Sequence, residues 1–292
     1  MLSTDGPRIG IIGVGQVGAA AANALIMNSV ARELILVDIK TELRNAQVQE
    51  LSDVSRMSGR AETRVRAGTY HEAGQCDIIL ITAGSKFSVG ETSVQHMYRN
   101  LGIVRSVIQA MRPFRSDAIL IVVSNPVDLL TTLAQQLSGL PRSQVMGSGT
   151  LLDSVRLRGL LANKVGVAAD AIDIYVLGVQ GLDEIVAWST ASVHGLPLAS
   201  AISQAIIKAK GAMPLGIGAI ISMICLSILG DQRHVLPISH FQEEFGCCFS
   251  LPVVLGRKGI LRTISMPVNG EEWDGIVKSA AALNETIEHV NE

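Results

Sequence analysis

The stretch Arg8-Ile9-Gly10-Ile11-Ile12-Gly13-Val14-Gly15-Gln16-Val17-Gly18 decides the fold. An aliphatic run, Arg8 to Ile12, reads as a strand, the glycines follow it directly, and the Ala-rich segment Ala19 to Ile26 then reads as a helix. Glycines are common in turns, so the hexamer alone says little. Its context is specific, because a second strand-like run, Leu34-Ile35-Leu36-Val37, ends at Asp38, 20 residues beyond Gly18. In such a unit Gly13 allows the tight turn, Gly15 lets backbone amides approach a pyrophosphate, and Gly18 permits close helix packing. Gln16 and Val17 lie in the same candidate cradle. A carboxylate at Asp38 would accept hydrogen bonds from ribose hydroxyls and repel a 2′-phosphate, so NAD is the expected cofactor rather than NADP. A purely structural turn with Asp38 capping a strand end is the competing explanation, and the complete strand-turn-helix-strand context favours cofactor binding.

Working outward, Asp77 to Thr82 and Ala118 to Ser124 repeat the alternation of aliphatic runs with helix-compatible stretches. Ile78-Ile79-Leu80-Ile81 and Ile119-Leu120-Ile121-Val122-Val123 are apolar at every position, as strands covered on both faces should be. The expected architecture is α/β, a Rossmann-type doubly wound parallel sheet with a second α+β substrate-type domain. The texture changes after Gly147-Ser148-Gly149-Thr150, which divides the chain into 1–147 and 148–292. No linker rich in proline or serine marks the boundary, so the halves should share a substantial interface.

The 292 residues, 48% of them hydrophobic, are enough for a well-buried core. A net charge of −2, from 24 basic and 26 acidic residues, gives no electrostatic case for nucleic acid or an anionic membrane. An aromatic content of 3% argues against a base-stacking surface. Four cysteines, two of them adjacent at Cys247-Cys248, fit neither a disulfide framework nor paired metal knuckles, and no metal is expected. A reducing, cytoplasmic setting is the simpler expectation. The apolar run Ile217 to Leu229 is too short to span a bilayer and reads as a buried helix.

Further motifs resemble the L-lactate/malate dehydrogenase family across nearly the whole chain. They are Thr82-Ala83-Gly84, Ser124-Asn125-Pro126-Val127-Asp128, Gly147-Ser148-Gly149-Thr150, Leu152-Asp153-Ser154-Val155-Arg156 and Phe249-Ser250-Leu251-Pro252-Val253-Val254-Leu255-Gly256. The resemblance implies that Thr82, Ala83 and Gly84 border the cofactor and that Asn125 contacts substrate or cofactor ribose. It implies that Arg156 grips a substrate carboxylate with its planar fork, and that Asp153 orients a histidine across the site. It also implies a homo-oligomer. Without the other motifs, a capped turn at Asn125 and a helix-face ion pair of Asp153 with Arg156 would be the simpler explanations.

The chain departs from the family where proton transfer should occur. The Glu-His-Gly-Asp segment corresponds to Val179-Gln180-Gly181-Leu182-Asp183, and an amide cannot deliver a proton usefully. In the loop Ser85-Lys86-Phe87-Ser88-Val89-Gly90-Glu91-Thr92-Ser93, the family's polarising arginine corresponds to Ser93 and its specificity position to Ser88. Met213 stands where lactate-type members usually have threonine, and the stretch between Trp188 and Lys210 is short for the family. His96 and His194 read as surface or helix-packing residues, and His71, His234, His240 and His289 lie further from any motif. These departures resemble the lactate-dehydrogenase-like domain fused to ubiquitin E2-variant domains, which implies a fused or partner ubiquitin-pathway domain. The expected function is NAD binding, with 2-hydroxy acid dehydrogenase activity lost or very weak. An active oxidoreductase of altered specificity on a small 2-oxo acid, and an interaction module, are the alternatives.

Overall fold

The structure is a computed structural model that describes residues 6–57, 63–181, 184–198 and 214–291. The first half builds strands β1 (Arg8–Ile12), β2 (Glu33–Val37), β3 (Arg64–Ala67), β4 (Ile78–Ile81), β5 (Ile119–Val122) and β6 (Val145–Gly147). Its helices are α1 (Gln16–Met27), α2 (Thr41–Met57), α3 (Tyr70–Gly74), α4 (Ser93–Met111) and α5 (Val127–Ser138). The second half opens with α6 (Leu151–Val165) and continues through the short strands β7 (Ile172–Asp173), β8 (Val176–Leu177), β9 (Ile185–Val186), β10 (Ser192–Val193) and β11 (Leu196–Pro197). It ends with α7 (Pro214–Leu229), β12 (Val235–Gln242), β13 (Cys247–Gly256), β14 (Gly259–Thr263) and α8 (Gly270–Asn291).

Nine strands form one sheet in the order β14-β13-β12-β6-β5-β4-β1-β2-β3. The six strands of the first half are parallel, and β12 to β14 extend the sheet antiparallel, joined to β6 where Ser239 faces Gly147. The second half therefore shares its largest sheet with the first.

The central strands are apolar throughout because each face has its own helical cover. Ile78 and Leu80 point into a core shared with α1 and α7, whereas Ile79 and Ile81 point into one shared with α4, α5 and α8. Burying each such side chain contributes roughly 1.5–3 kcal/mol. The apolar run expected as a buried helix is α7, packed against α1 with Ile220, Ile221 and Ile224 at most 3% exposed. Its Gly218 lies so close to α1 that a Cβ would sit 2.6 Å from the Ala20 carbonyl oxygen. The Asn28 side chain donates to Ser222 Oγ at 3.0 Å across the same contact.

Helix α1 begins three residues earlier than the sequence suggests. Gly15 is the N-cap, and Gln16, Val17 and Gly18 already belong to the first turn. All four cysteines are buried free thiols, and among the described residues no helix is long and apolar enough to cross a membrane.

The α1–α7 contact leaves no room for a side chain at position 218. Gly218→Val is expected to lower the urea-unfolding free energy by about 1–3 kcal/mol through overpacking. A stability equal to the unmodified protein would show that the helices separate without cost.

Candidate active site

The glycine loop is built by close backbone approach. Gly13 has φ +92°, and a Cβ there would lie 2.5 Å from Ala83 Cα, so only glycine fits. Its N–H donates to the Val37 carbonyl at 2.8 Å, and the Thr82 hydroxyl donates to the Gly13 carbonyl at 2.6 Å. A Cβ on Gly18 would come within 2.0 Å of that same carbonyl oxygen. Gly15 differs from both, having open space around the position of a Cβ. No side chain caps α1 and no acidic residue lies in its first turn, so its amino-terminal dipole faces outward uncompensated. This is a cradle a pyrophosphate fits.

Asp38 is half-buried at the carboxyl end of β2, where its two oxygens accept from Val14 N–H at 2.9 Å and Lys40 N–H at 2.8 Å. The carboxylate thus ties the end of β2 to the glycine loop. Thr82 and Ala83 are half-buried beside the loop, and Gly84 is exposed.

At the carboxyl end of the sheet, Asn125 is exposed just beyond β5, joined to Pro126 by a cis peptide. The buried Asn100 of α4 donates to the Asn125 carbonyl at 2.9 Å and accepts from Ser85 N–H at 2.9 Å. One amide therefore fastens the segment after β4 to the segment after β5. On the first turn of α6, Asp153 faces Arg156 at 3.5 Å, both with about a quarter of their side-chain surface exposed. Gln180 approaches from the segment after β8 and donates through Nε2 to Asp153 Oδ2 at 3.1 Å. Asp153, which the resemblance pairs with a histidine, is thus served by a carboxamide.

The segment carrying Gln180 is fixed from behind by Asp128. Its carboxylate, 2% exposed, accepts the Gln180 N–H at 2.7 Å and the Ser239 hydroxyl. Burial pushes this carboxyl up to about 6, overcoming the lowering effect of those two hydrogen bonds. Gly178 exchanges two backbone hydrogen bonds with Ser250, each 2.9 Å, and Ser154 Oγ accepts from Val176 N–H at 2.9 Å. These bonds place β8 between β13 and α6.

These features follow a known plan. Residues 7–147 match the family profile described as lactate/malate dehydrogenase, NAD binding domain. Residues 150–205 and 200–292 match that of the lactate/malate dehydrogenase alpha/beta C-terminal domain. The chain belongs to the lactate/malate dehydrogenase family. It is 40% identical to the L-lactate dehydrogenase A of Rhizopus oryzae over 293 residues, covering 94% of this chain and 91% of that protein. It is 35% identical to the L-lactate dehydrogenase of Chloroherpeton thalassium, covering 97% of this chain and all of the relative. The ligand-bound minor L-lactate dehydrogenase of Enterococcus mundtii superposes with a TM-score of 0.90 at 30% identity, covering 97% and 98% of the two chains. The membership is to the dehydrogenase family at large, and these relatives lend nothing to the narrower resemblance to ubiquitin E2-variant fusions.

Within this lactate/malate dehydrogenase frame the loop after β4 is held by its own helix. The Phe87 ring stacks on His96 with centroids 3.9 Å apart, and His96 Nε2 lies 2.8 Å from the Ser85 carbonyl oxygen. Arg99 pairs with Glu91 and donates to Ser88 Oγ at 3.2 Å. His96 is therefore a loop-packing residue. Ser93 is exposed at the first position of α4, after the Thr92 capping box, and Lys86 is exposed within the loop. His194 is exposed in the turn between β10 and β11 with φ +49°. Leu182, Asp183 and Met213 lie outside the described residues.

Sequence reasoning gave no role to Asn100, Ser239 or Asp128, although Asp128 stands in a quoted motif. The available signal was polarity out of place, since Asp128 interrupts Val127 to Leu130 and Asn100 lies beside Leu101 on the buried face of α4.

Folding raises the Asp128 pKa from 3.8 to about 6, so the native state holds this proton more tightly than the unfolded chain. Its ionisation therefore costs stability above pH 6, and the cost disappears as pH falls from about 6 to 4. In urea titrations of the protein and Asp128→Asn, the stability of the unmodified protein relative to the variant should rise across that window. A pH-independent difference would rule this out.

Proposed function

We propose that this chain is an NAD-dependent oxidoreductase acting on a small 2-oxo or 2-hydroxy acid, with altered specificity and a slow hydride-transfer step. The observation that carries the proposal is the Asp153, Arg156 and Gln180 constellation beside a glycine cradle that has kept its geometry. Arg156 touches Asp153 at one 3.5 Å contact, which leaves guanidinium donors to grip a carboxylate. Asn125 is exposed beyond the carboxyl end of β5, where a side-chain amide can meet substrate or cofactor ribose. NADH supplies the hydride when bound. Gln180 can orient a ketone by hydrogen bonding, but its amide does not titrate near neutrality, so the proton must come from water. Ser93 offers a hydroxyl where a guanidinium would polarise the carbonyl. The full-length likeness to L-lactate dehydrogenases supports turnover over its complete loss.

A second reading, a cofactor-binding protein without turnover, is favoured by the coincidence of Gln180 and Ser93 in one site. General acid catalysis contributes about 10²–10⁴-fold and an oxyanion donor about 10²–10³-fold. These effects are not additive, yet losing both leaves a small fraction of the activity.

NADH oxidation against a panel of 2-oxo acids, with NADH fluorescence recorded in the same samples, separates the two. Saturable NADH binding is expected, lost in Gly15→Trp, with turnover that Arg156→Ala lowers. Gln180→His alone should recover little, and Gln180→His/Ser93→Arg should raise turnover by about 10² or more. Binding without turnover on any acid would establish the second reading. Turnover indifferent to Arg156→Ala would remove the carboxylate grip from the account.

A further inference from the structure

At the amino-terminal edge of the sheet, opposite the glycine loop, lies a cleft of 1140 Å³. It is bordered by the starts of β1, β2 and β3, the turn between β13 and β14, and the end of α7. This volume is ample for a metabolite, since small-molecule sites commonly enclose roughly 300–1,000 Å³. Among the described residues, six cationic side chains line it, Arg8, Arg32, Arg64, Arg115, Arg257 and Lys258, against three carboxylates, in a chain whose net charge is −2. The charge excess of the described lining is thus opposite in sign to that of the whole molecule.

The carboxylates are already committed. Asp77 and Asp117 both pair with Arg115, at 2.8 and 2.5 Å. Glu33 pairs with Arg66 at 3.0 Å, and the contact from Arg64 is a longer 3.5 Å. Arg8 and Arg257, by contrast, are held by neutral groups. The Arg8 guanidinium donates to the Gln75 carbonyl at 2.9 Å, and that of Arg257 to the Leu229 carbonyl at 3.0 Å. Their positions are fixed while their charge is not cancelled. Among the described residues no carboxylate lies within ion-pair distance of Arg8, Arg257 or Lys258, although Asp231 accepts from the Arg257 backbone N–H at 2.9 Å and feels its charge. Arg64, with 74% of its side chain exposed and only the 3.5 Å contact to Glu33, and Lys258, also exposed, stand at the rim.

We propose that this cleft binds a small anion carrying two or more phosphate groups. Guanidinium forks fixed by carbonyls match phosphate oxygens, and the long exposed side chains of Arg64 and Lys258 at the rim can reach them. Pro7 and Leu229, both half-buried, offer an apolar surface for the body of such a molecule. The site is separate from the cofactor cradle, which lies at the carboxyl ends of the same strands.

The test is calorimetric titration of the full-length protein with inorganic tripolyphosphate, with NADH saturating so that the cofactor cradle is filled. Sulfate at matched ionic strength controls for screening. Saturable binding of tripolyphosphate but not sulfate is expected, weakened about tenfold or more in Arg64→Glu/Lys258→Glu and less in Arg64→Gln/Lys258→Gln. Both side chains are exposed, so the variants should keep the parent melting temperature and NADH fluorescence. No saturable heat in the presence of NADH, or equal affinity in the charge-reversed variant, would overturn the proposal.

Discussion

Asp128 is a charged group that the fold removes from water, and the catalytic region depends on how that carboxylate is satisfied. It sits on the first turn of α5, three residues after the exposed Asn125, with hydrogen bonds from Gln180 and Ser239. An unpartnered carboxylate at such a position would cost several kcal/mol. The start of α5, the segment after β8 and the middle of β12 must therefore come together or the charge is left bare. Because Ser239 also faces Gly147 in the sheet, this joint lies where the two halves of the chain become one sheet. The placement of Gln180 is thus a consequence of sheet continuation as much as of local loop structure.

The parts of the fold that sequence reveals are those whose cause is local. A strand covered on both faces has no polar positions to spare, which is why β4 and β5 are visible as unbroken aliphatic runs. The glycine loop is equally legible, since Gly13 and Gly18 answer to a backbone approach only a missing Cβ permits. The start of α1 is harder to see because Gly15 caps it without a side chain, leaving none of the usual Ser, Thr or Asp signal. Strands β12 and β13 are harder again. They contain Pro237 and Pro252, which weaken any local strand signal, and their place is set by pairing with distant residues.

The site shows the same division. Asp153, Arg156, Asn125 and Gln180 can be picked out because the motifs around them resemble those of the family, and the structure brings Gln180 onto Asp153. The bonds that hold them there are invisible in sequence, since Asp128 reaches Gln180 across 52 residues and Ser239 across 111. Asn100 has the same character, joining the segments after β4 and β5 from a helix whose composition suggests only packing.

An imidazole in the place of Gln180 would do two things, and the carboxamide keeps one of them. It presents an N–H to Asp153 with a length suited to a hydrogen bond, so the half-buried carboxylate keeps a partner and α6 keeps its link to the segment after β8. It cannot exchange a proton near neutrality, so no group in the constellation changes charge as substrate turns to product. Ser93 has the same consequence for the loop, because a hydroxyl at the start of α4 carries no charge to polarise a carbonyl. Under the proposed function, glutamine at 180 and serine at 93 leave the ground-state architecture standing while lacking charge that would develop or be neutralised only in the transition state. On that reading substrate and cofactor recognition survive with little loss while the chemical step is slowed, since only interactions stronger in the transition state than in the ground state accelerate it.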